Sequence, residues 1–240
     1  MGKPRGGRTH ALALTAAVLT GAFATGCGSR AAEAGDGRPD TPAYTSVREF
    51  DESLAPDGVT VRVGSARATT VVHLYEDMRC PVCEEFETGS GSEGLRELIL
   101  DGEVRAEYTL ASFLDDRLGG KGSKKAANAL RAALERGRFV EYHDVLFAHQ
   151  PEESEDGYTD AFLLEMASQV PGLRGAEFGA AVKGMKYRDF VTASERAYEK
   201  SGAPGTPTME VDGRMVDQSL YGAIFEKESL PVVIGVTAHS

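Results

Sequence analysis

VVHLYEDMRCPVCEEF, residues 71–86, combines a change of secondary structure with a reactive residue pair. Thr69–Tyr75 (TTVVHLY) is an almost unbroken β-branched run and reads as a strand. Glu76-Asp77-Met78-Arg79 leads from it into Cys80-Pro81-Val82-Cys83. Pro81 suits the first turn of a helix, where its missing N–H is not needed, so a helix is expected from Cys80 through Phe86. That start puts the Cys80 sulfur among free N–H groups at the positive end of the helix dipole, which favours a thiolate. Cys83, one turn on, lies within reach of a disulfide. One thiol of such a pair forms a mixed disulfide with a substrate and the other resolves it. Arg79 is expected to help the thiolate, and Glu84, Glu85 and Glu87 to oppose it, so the Cys80 pKa should fall below that of a free thiol without becoming extreme.

Other uses of the pair fit less well. A c-type haem attachment needs His after the second Cys, and residue 84 is Glu. A zinc site needs two further ligands, and His143 and His149, six apart, do not share a helical face. A fixed structural disulfide remains the alternative, although so short a loop gains little from chain entropy. No metal and no cofactor is expected. Gly119–Ser123 (GGKGS) lacks P-loop spacing, the acidic stretch at 152–156 lacks EF-hand spacing, and neither G-x-S-x-G nor H-E-x-x-H occurs.

Outward from this centre, Val59–Val63 alternates and Val104–Ala111 is β-rich, so both are expected strands. The helix after the cysteines is expected to break at Gly89–Gly94 and resume over Leu95–Leu100. From Lys121 to about Ser201 the periodicity is helical. Its apolar stripes are Ala126, Ala129, Leu130, Ala133 and Leu134, then Phe162, Leu163 and Met166, then Phe190, Ala193 and Ala197. Pro151–Asp160 reads as a solvated acidic loop. Strand signals return at Thr208–Val211 and Arg214–Val216 around the Asp212-Gly213 turn. Ser219–Glu226 reads as a last helix, and the apolar Leu230–Val236 has no assigned element.

The N-terminus reads as an address. Met1–His10 carries Lys3, Arg5 and Arg8 without an acid, and Ala11–Gly26 is uncharged and apolar, the pattern of a secretory signal. Ala22-Phe23-Ala24 fits an ordinary cleavage site. Gly28–Ala43, rich in Gly, Ala and Pro, reads as a flexible tether. The whole chain has 240 residues, 26 Lys plus Arg, 37 Asp plus Glu and three cysteines. Its 41% hydrophobic content suffices for a core, and a net charge of -11 argues against nucleic-acid partners. Without the signal the net charge becomes -14.

Two resemblances build on these residues. Ala24-Thr25-Gly26-Cys27 resembles a bacterial lipobox, with Ala24 where Leu is most common; it implies diacylation of Cys27 and anchoring at the outer face of the cytoplasmic membrane, the alternative being a secreted soluble protein. Val71–Phe86 together with Gly202–Gly213 (GAPGTPTMEVDG) resembles the active-site helix and cis-proline loop of DsbA-like thiol–disulfide oxidoreductases, nearest the membrane-tethered actinobacterial members. Lys121–Arg131 resembles the start of their helical insertion. The resemblance implies an α/β thioredoxin fold with an α-helical insertion. The expected organisation is signal 1–26, tethered linker 27–43, thioredoxin-like parts 44–115 and 204–229, insertion 116–203 and tail 230–240.

It also implies catalysis by Cys80 and Cys83 and docking of substrate peptides along Thr206 and Pro207, with the bond between them cis. The implied partners are protein thiols or disulfides and a membrane redox protein that resets the pair. Relatives often carry a buried acid six or seven residues before the first Cys. His73 and Leu74 stand there, making His73 a candidate proton relay. The Pro81-Val82 dipeptide lacks the His found between the cysteines of the most oxidising relatives. Disulfide donation is the expected direction, with a reductase, or a non-catalytic binding lipoprotein, as alternatives.

Overall fold

The computed structural model describes Gly2 and residues 43–240. The signal, most of the tether and Cys27 lie outside the described residues. Six strands form one sheet in the order β1-β2-β4-β3-β5-β6. They are β1 Glu52–Leu54, β2 Val61–Val63, β3 Thr70–Asp77, β4 Val104–Ala111, β5 Thr208–Val211 and β6 Arg214–Met215. The central β3 and β4 run parallel, and the other pairings are antiparallel. Parallel neighbours need a crossover, which α1 (Pro81–Thr88) and α2 (Ser90–Leu100) supply.

Strand periodicity sorts the side chains of β3 to two faces. Val72 and Leu74 enter the main core with Phe86, Leu95, Leu110 and Ile224. Tyr75 points the other way and packs with Tyr198 of helix α8 (Arg188–Ser201). The strand runs two residues beyond the expected Tyr75 end, so Glu76 follows Val72 and Leu74 into the interior and is wholly buried. Between β4 and β5 lie helices α3 Phe113–Leu118, α4 Gly122–Leu134, α5 Phe139–Ala148, α6 Asp160–Met166, α7 Ala176–Lys183 and α8. They form the helical insertion.

Four expectations change. Gly89–Gly94 does not interrupt a helix: Gly89 alone separates α1 from α2, and the other glycines are helical. A Cβ on Gly91 would stand 2.4 Å from the Ile224 carbonyl oxygen, so this glycine permits close packing rather than a break. The inward face of α8 is Phe190, Val191, Ser194 and Tyr198, not Phe190, Ala193 and Ala197. Ser219–Glu226, expected as a helix, falls in a 3-10 segment that spans Gln218–Phe225. The segment at 230–240, expected as a tail, forms α9 (Leu230–Ala238), whose Leu230, Val233 and Ile234 join the main core. The Asp212-Gly213 hairpin turn has positive φ at both residues, the geometry that favours an Asp-Gly pair. No helix among the described residues is long and apolar enough to cross a membrane.

Candidate functional site

Cys80 caps α1, with extended backbone, and Pro81 opens the helix. Cys80 keeps a sliver of solvent exposure (7%), whereas Cys83, one turn inward, has none (0%). Both are free thiols. Facing them is the loop before β5, where the Thr206–Pro207 peptide bond is cis. Cys80 Sγ donates to the Thr206 carbonyl oxygen at 3.2 Å. A groove of about 220 Å³ opens beside this contact, lined by Thr206, Pro207, Met209, Met215, Val216 and Tyr221. Tyr221 Oη donates to the Pro207 carbonyl at 3.1 Å and steadies the loop from the 3-10 segment. Val82, between the cysteines, is an exposed apolar side chain on the same helix end.

The two thiols are pushed in opposite directions. A hydrogen bond from Cys83 is the chief influence bringing Cys80 down to about 6; partial burial opposes it, and the Thr206 side chain and the Cys83 and Val82 N–H groups assist. Burial pushes Cys83 well above the ordinary thiol range, and its hydrogen bond to Cys80 and the nearby Glu76 add to the effect. Of the two thiols, Cys80 is therefore the more readily ionised and Cys83 the one held protonated.

Arg79 does not contribute as expected. Its guanidinium is buried and turned towards the insertion, where Nη1 donates to Asp115 Oδ1 (3.1 Å) and the Gly119 carbonyl (2.8 Å), and Nη2 to the Glu153 carbonyl (2.9 Å). Arg79 is thus a structural tie from the cysteine loop to the insertion. The same contact means that the acidic stretch at 151–160 is not simply solvated, since its backbone closes over Arg79. From the end of α5, Gln150 Nε2 donates to the carbonyls of Met78 (2.9 Å) and Cys80 (3.0 Å) and holds the loop from a second side.

His73 is placed away from this chemistry. Its Nε2 bonds Thr109 Oγ1 at 2.8 Å, its ring stacks on Tyr75, and burial lowers its pKa. The groups that act on Cys80 and Cys83 do not include it. The acid near the thiols is Glu76, pushed up to about 8 by burial, with Cys80 adding to the rise. Strand alternation was the available signal for Glu76, since it continues the Val72, Leu74 series. Glu87, four residues after Cys83 and so on the same face of α1, is buried too, and its carboxyl is raised by burial and by Glu76. Ligand atoms of Glu76, Glu87 and His143 lie within 4.8 Å of one another. Burial raises both carboxyls and favours their neutral forms.

Residues 57–227 match the family model described as Thioredoxin. The chain belongs to the thioredoxin family. It is 31% identical over 163 residues to Na(+)/H(+) antiporter NhaA 3 of Salinispora tropica, covering 66% of this chain and 22% of that protein. It is 22% identical over 156 residues to Disulfide bond formation protein D of Bacillus subtilis, covering 64% of this chain and 68% of that protein. The chain thus spans about a fifth of the antiporter's length. Among solved structures, the MdbA protein of Corynebacterium diphtheriae, a thiol-disulfide oxidoreductase, superposes with a TM-score of 0.63 at 21% identity over 78% of this chain and 96% of that one. The fold of this thioredoxin-family chain is therefore the DsbA-like one, a thioredoxin sheet carrying a helical insertion.

Proposed function

We propose that this protein is an extracytoplasmic thiol–disulfide oxidoreductase that donates its Cys80–Cys83 disulfide to protein thiols. One observation carries the direction: Cys80, brought down to about 6, is a thiolate at neutral pH, which stabilises the reduced pair and makes the disulfide a ready oxidant. A substrate thiolate attacks Cys80 Sγ, the Cys80–Cys83 bond breaks, and a mixed disulfide forms. A second substrate thiol then attacks that mixed disulfide, leaving the substrate oxidised and both cysteines reduced. An extended substrate segment pairs with the backbone around Thr206 and Pro207, a mode that asks little of its sequence. Glu76, not His73, supplies the proton that the departing Cys83 sulfur takes up.

Export by the signal at 1–26 and anchoring through a lipidated Cys27 place the protein outside the cytoplasmic membrane, beside a membrane partner that reoxidises the pair. The deciding experiment is the reduction potential of the Cys80–Cys83 couple in glutathione buffers. A value clearly more oxidising than that of thioredoxin, about -270 mV, is expected; one at or below about -270 mV would make the protein a reductase. A pair that does not equilibrate at all would make it a fixed staple in a binding lipoprotein.

A further inference from the structure

The turn that carries Cys80 is held by the helical insertion at its main chain as well as through the Arg79 side chain. Met78, Arg79 and Cys80 are all buried. Within the turn, Asp77 Oδ1 accepts from the Arg79 N–H at 3.0 Å, and the Asp77 carbonyl accepts from the Cys80 N–H at 2.9 Å. The carbonyls of Met78 and Cys80, on either side of Arg79, are both met by one amide, Gln150 Nε2. A side-chain amide has two N–H donors, so Gln150 spends both on this turn. The Cys80 carbonyl also accepts the first hydrogen bond of α1, from the Glu84 N–H at 3.1 Å. Its two lone pairs are thereby filled, one from the helix and one from the insertion.

Gln150 is itself anchored. Its N–H donates to the Phe147 carbonyl near the end of α5 at 3.1 Å, and the chain beyond it closes over the cysteine turn. The Glu153 carbonyl accepts from Arg79 Nη2, and Asp156 Oδ1 accepts from the Lys121 N–H at the start of α4 at 2.9 Å. The amide is therefore ordered before any substrate arrives, so holding the turn costs no new ordering during the reaction.

We propose that Gln150 is a positioning residue for thiol–disulfide exchange: by fixing the Met78 and Cys80 carbonyls it holds the Cys80 sulfur against the helix N–H groups and the cis-proline loop. This rests on the function proposed above and adds to it the residue through which the insertion acts on the reacting sulfur.

The contacts of that sulfur depend on distance and angle. They are the Val82 and Cys83 N–H groups, the Cys83 thiol and the Thr206 carbonyl at 3.2 Å. A turn released at residues 78 and 80 would carry the sulfur away from the donors that favour its ionised form. Charge does not enter this effect, because Gln150 has none. The titratable groups that face Cys80 are Cys83 on its own helix, Glu76 of β3, Tyr198 of α8 and Tyr221 of the 3-10 segment. The neighbouring Arg79 is engaged with Asp115. A neutral substitution at 150 leaves all of these in place, so a change at Cys80 would come from its position.

The test compares two neutral variants. Gln150→Met keeps the length but has no donor, and Gln150→Asn keeps the amide but falls short of the carbonyls. Iodoacetamide alkylation of Cys80 in the reduced full chain is followed against pH, and the Cys80–Cys83 equilibrium is read in glutathione buffers at pH 7. In both variants the Cys80 midpoint should rise by about half to one pH unit. Starting from a midpoint of about 6, the reduced pair then loses about three- to fivefold in its equilibrium with the disulfide, which makes a weaker oxidant. Unchanged or lowered midpoints in both variants would overturn the proposal, even if urea unfolding showed a loss of stability, since a purely structural tie changes stability alone. Gln150 is half-buried at a helix end, where Asn is well tolerated; should Gln150→Met not fold, Gln150→Asn decides by the same readings. A wild-type pair that does not equilibrate with glutathione would sink the proposed function itself, whereas a wild type that equilibrates alongside unchanged variants removes only the role of Gln150.

Discussion

Cys80 and Cys83 stand three residues apart at one helix start, yet their surroundings differ as much as two separate sites. The Cys80 side meets the groove, where the Cys83 thiol, the Thr206 side chain and the helix N–H groups act on it beside the cis-proline loop. The Cys83 side is closed and built from ionisable side chains carried in by β3, α1 and α5. The asymmetry shows that helix position alone does not set thiol reactivity. It is the burial of one sulfur that leaves the other as the reactive partner, and Arg79, the nearest cation in sequence, takes no part.

Removing the sulfurs separates the two sides most sharply. Cys80→Ala should lower disulfide exchange with a reduced, unfolded protein by at least about a thousandfold, to the background of the uncatalysed reaction. Cys83→Ala, mixed with a disulfide-bonded protein, should instead accumulate mixed disulfides, visible as adducts on non-reducing gels, because Cys80 opens the substrate disulfide and the protein's own second thiol is gone.

Glu76→Gln probes the closed side. An acid whose carboxyl is raised on folding binds its proton more tightly in the native state. Its favourable effect is therefore greatest below the ordinary carboxyl range and is lost as pH rises towards about 8. Wild-type stability, measured by urea unfolding, should fall relative to the Gln variant across that window, by at most about 1.4 kcal/mol per pH unit for one proton. Parallel curves for the two proteins would remove Glu76 as a proton store. The smallest effect is expected on the open side, where Tyr221→Phe deletes the hydrogen bond to the Pro207 carbonyl. A loss of about 1 kcal/mol in stability, with a modest rise in KM for a peptide substrate and little change in kcat, is the expected outcome.

The open side was largely legible in the sequence and the closed side was not. Pro81 after Cys80, the β-branched run before it and the Asp212-Gly213 turn are local signals, and local geometry decides those elements. Glu76 escaped because a charged pair after a strand looks like the start of a loop, although the alternation from Val72 through Leu74 continues into it. His143 was considered only as a zinc ligand; its partners come from residues 56 and 67 positions away, a pairing that only the fold creates. The glycines of α2 misled because a glycine chosen for close approach to the backbone at Ile224 looks the same as one chosen to break a helix. Segment 230–238 is apolar on nearly every side and so shows no period, yet it packs as α9.

The most direct test of the asymmetry is the pH dependence of iodoacetamide alkylation in the reduced native protein, with the modified residue identified by mass spectrometry. The expected result is one thiol, Cys80, reacting with a midpoint near pH 6 while Cys83 stays unmodified until the protein unfolds. Two thiols titrating together in the ordinary range above pH 8, or Cys83 reacting first, would contradict it.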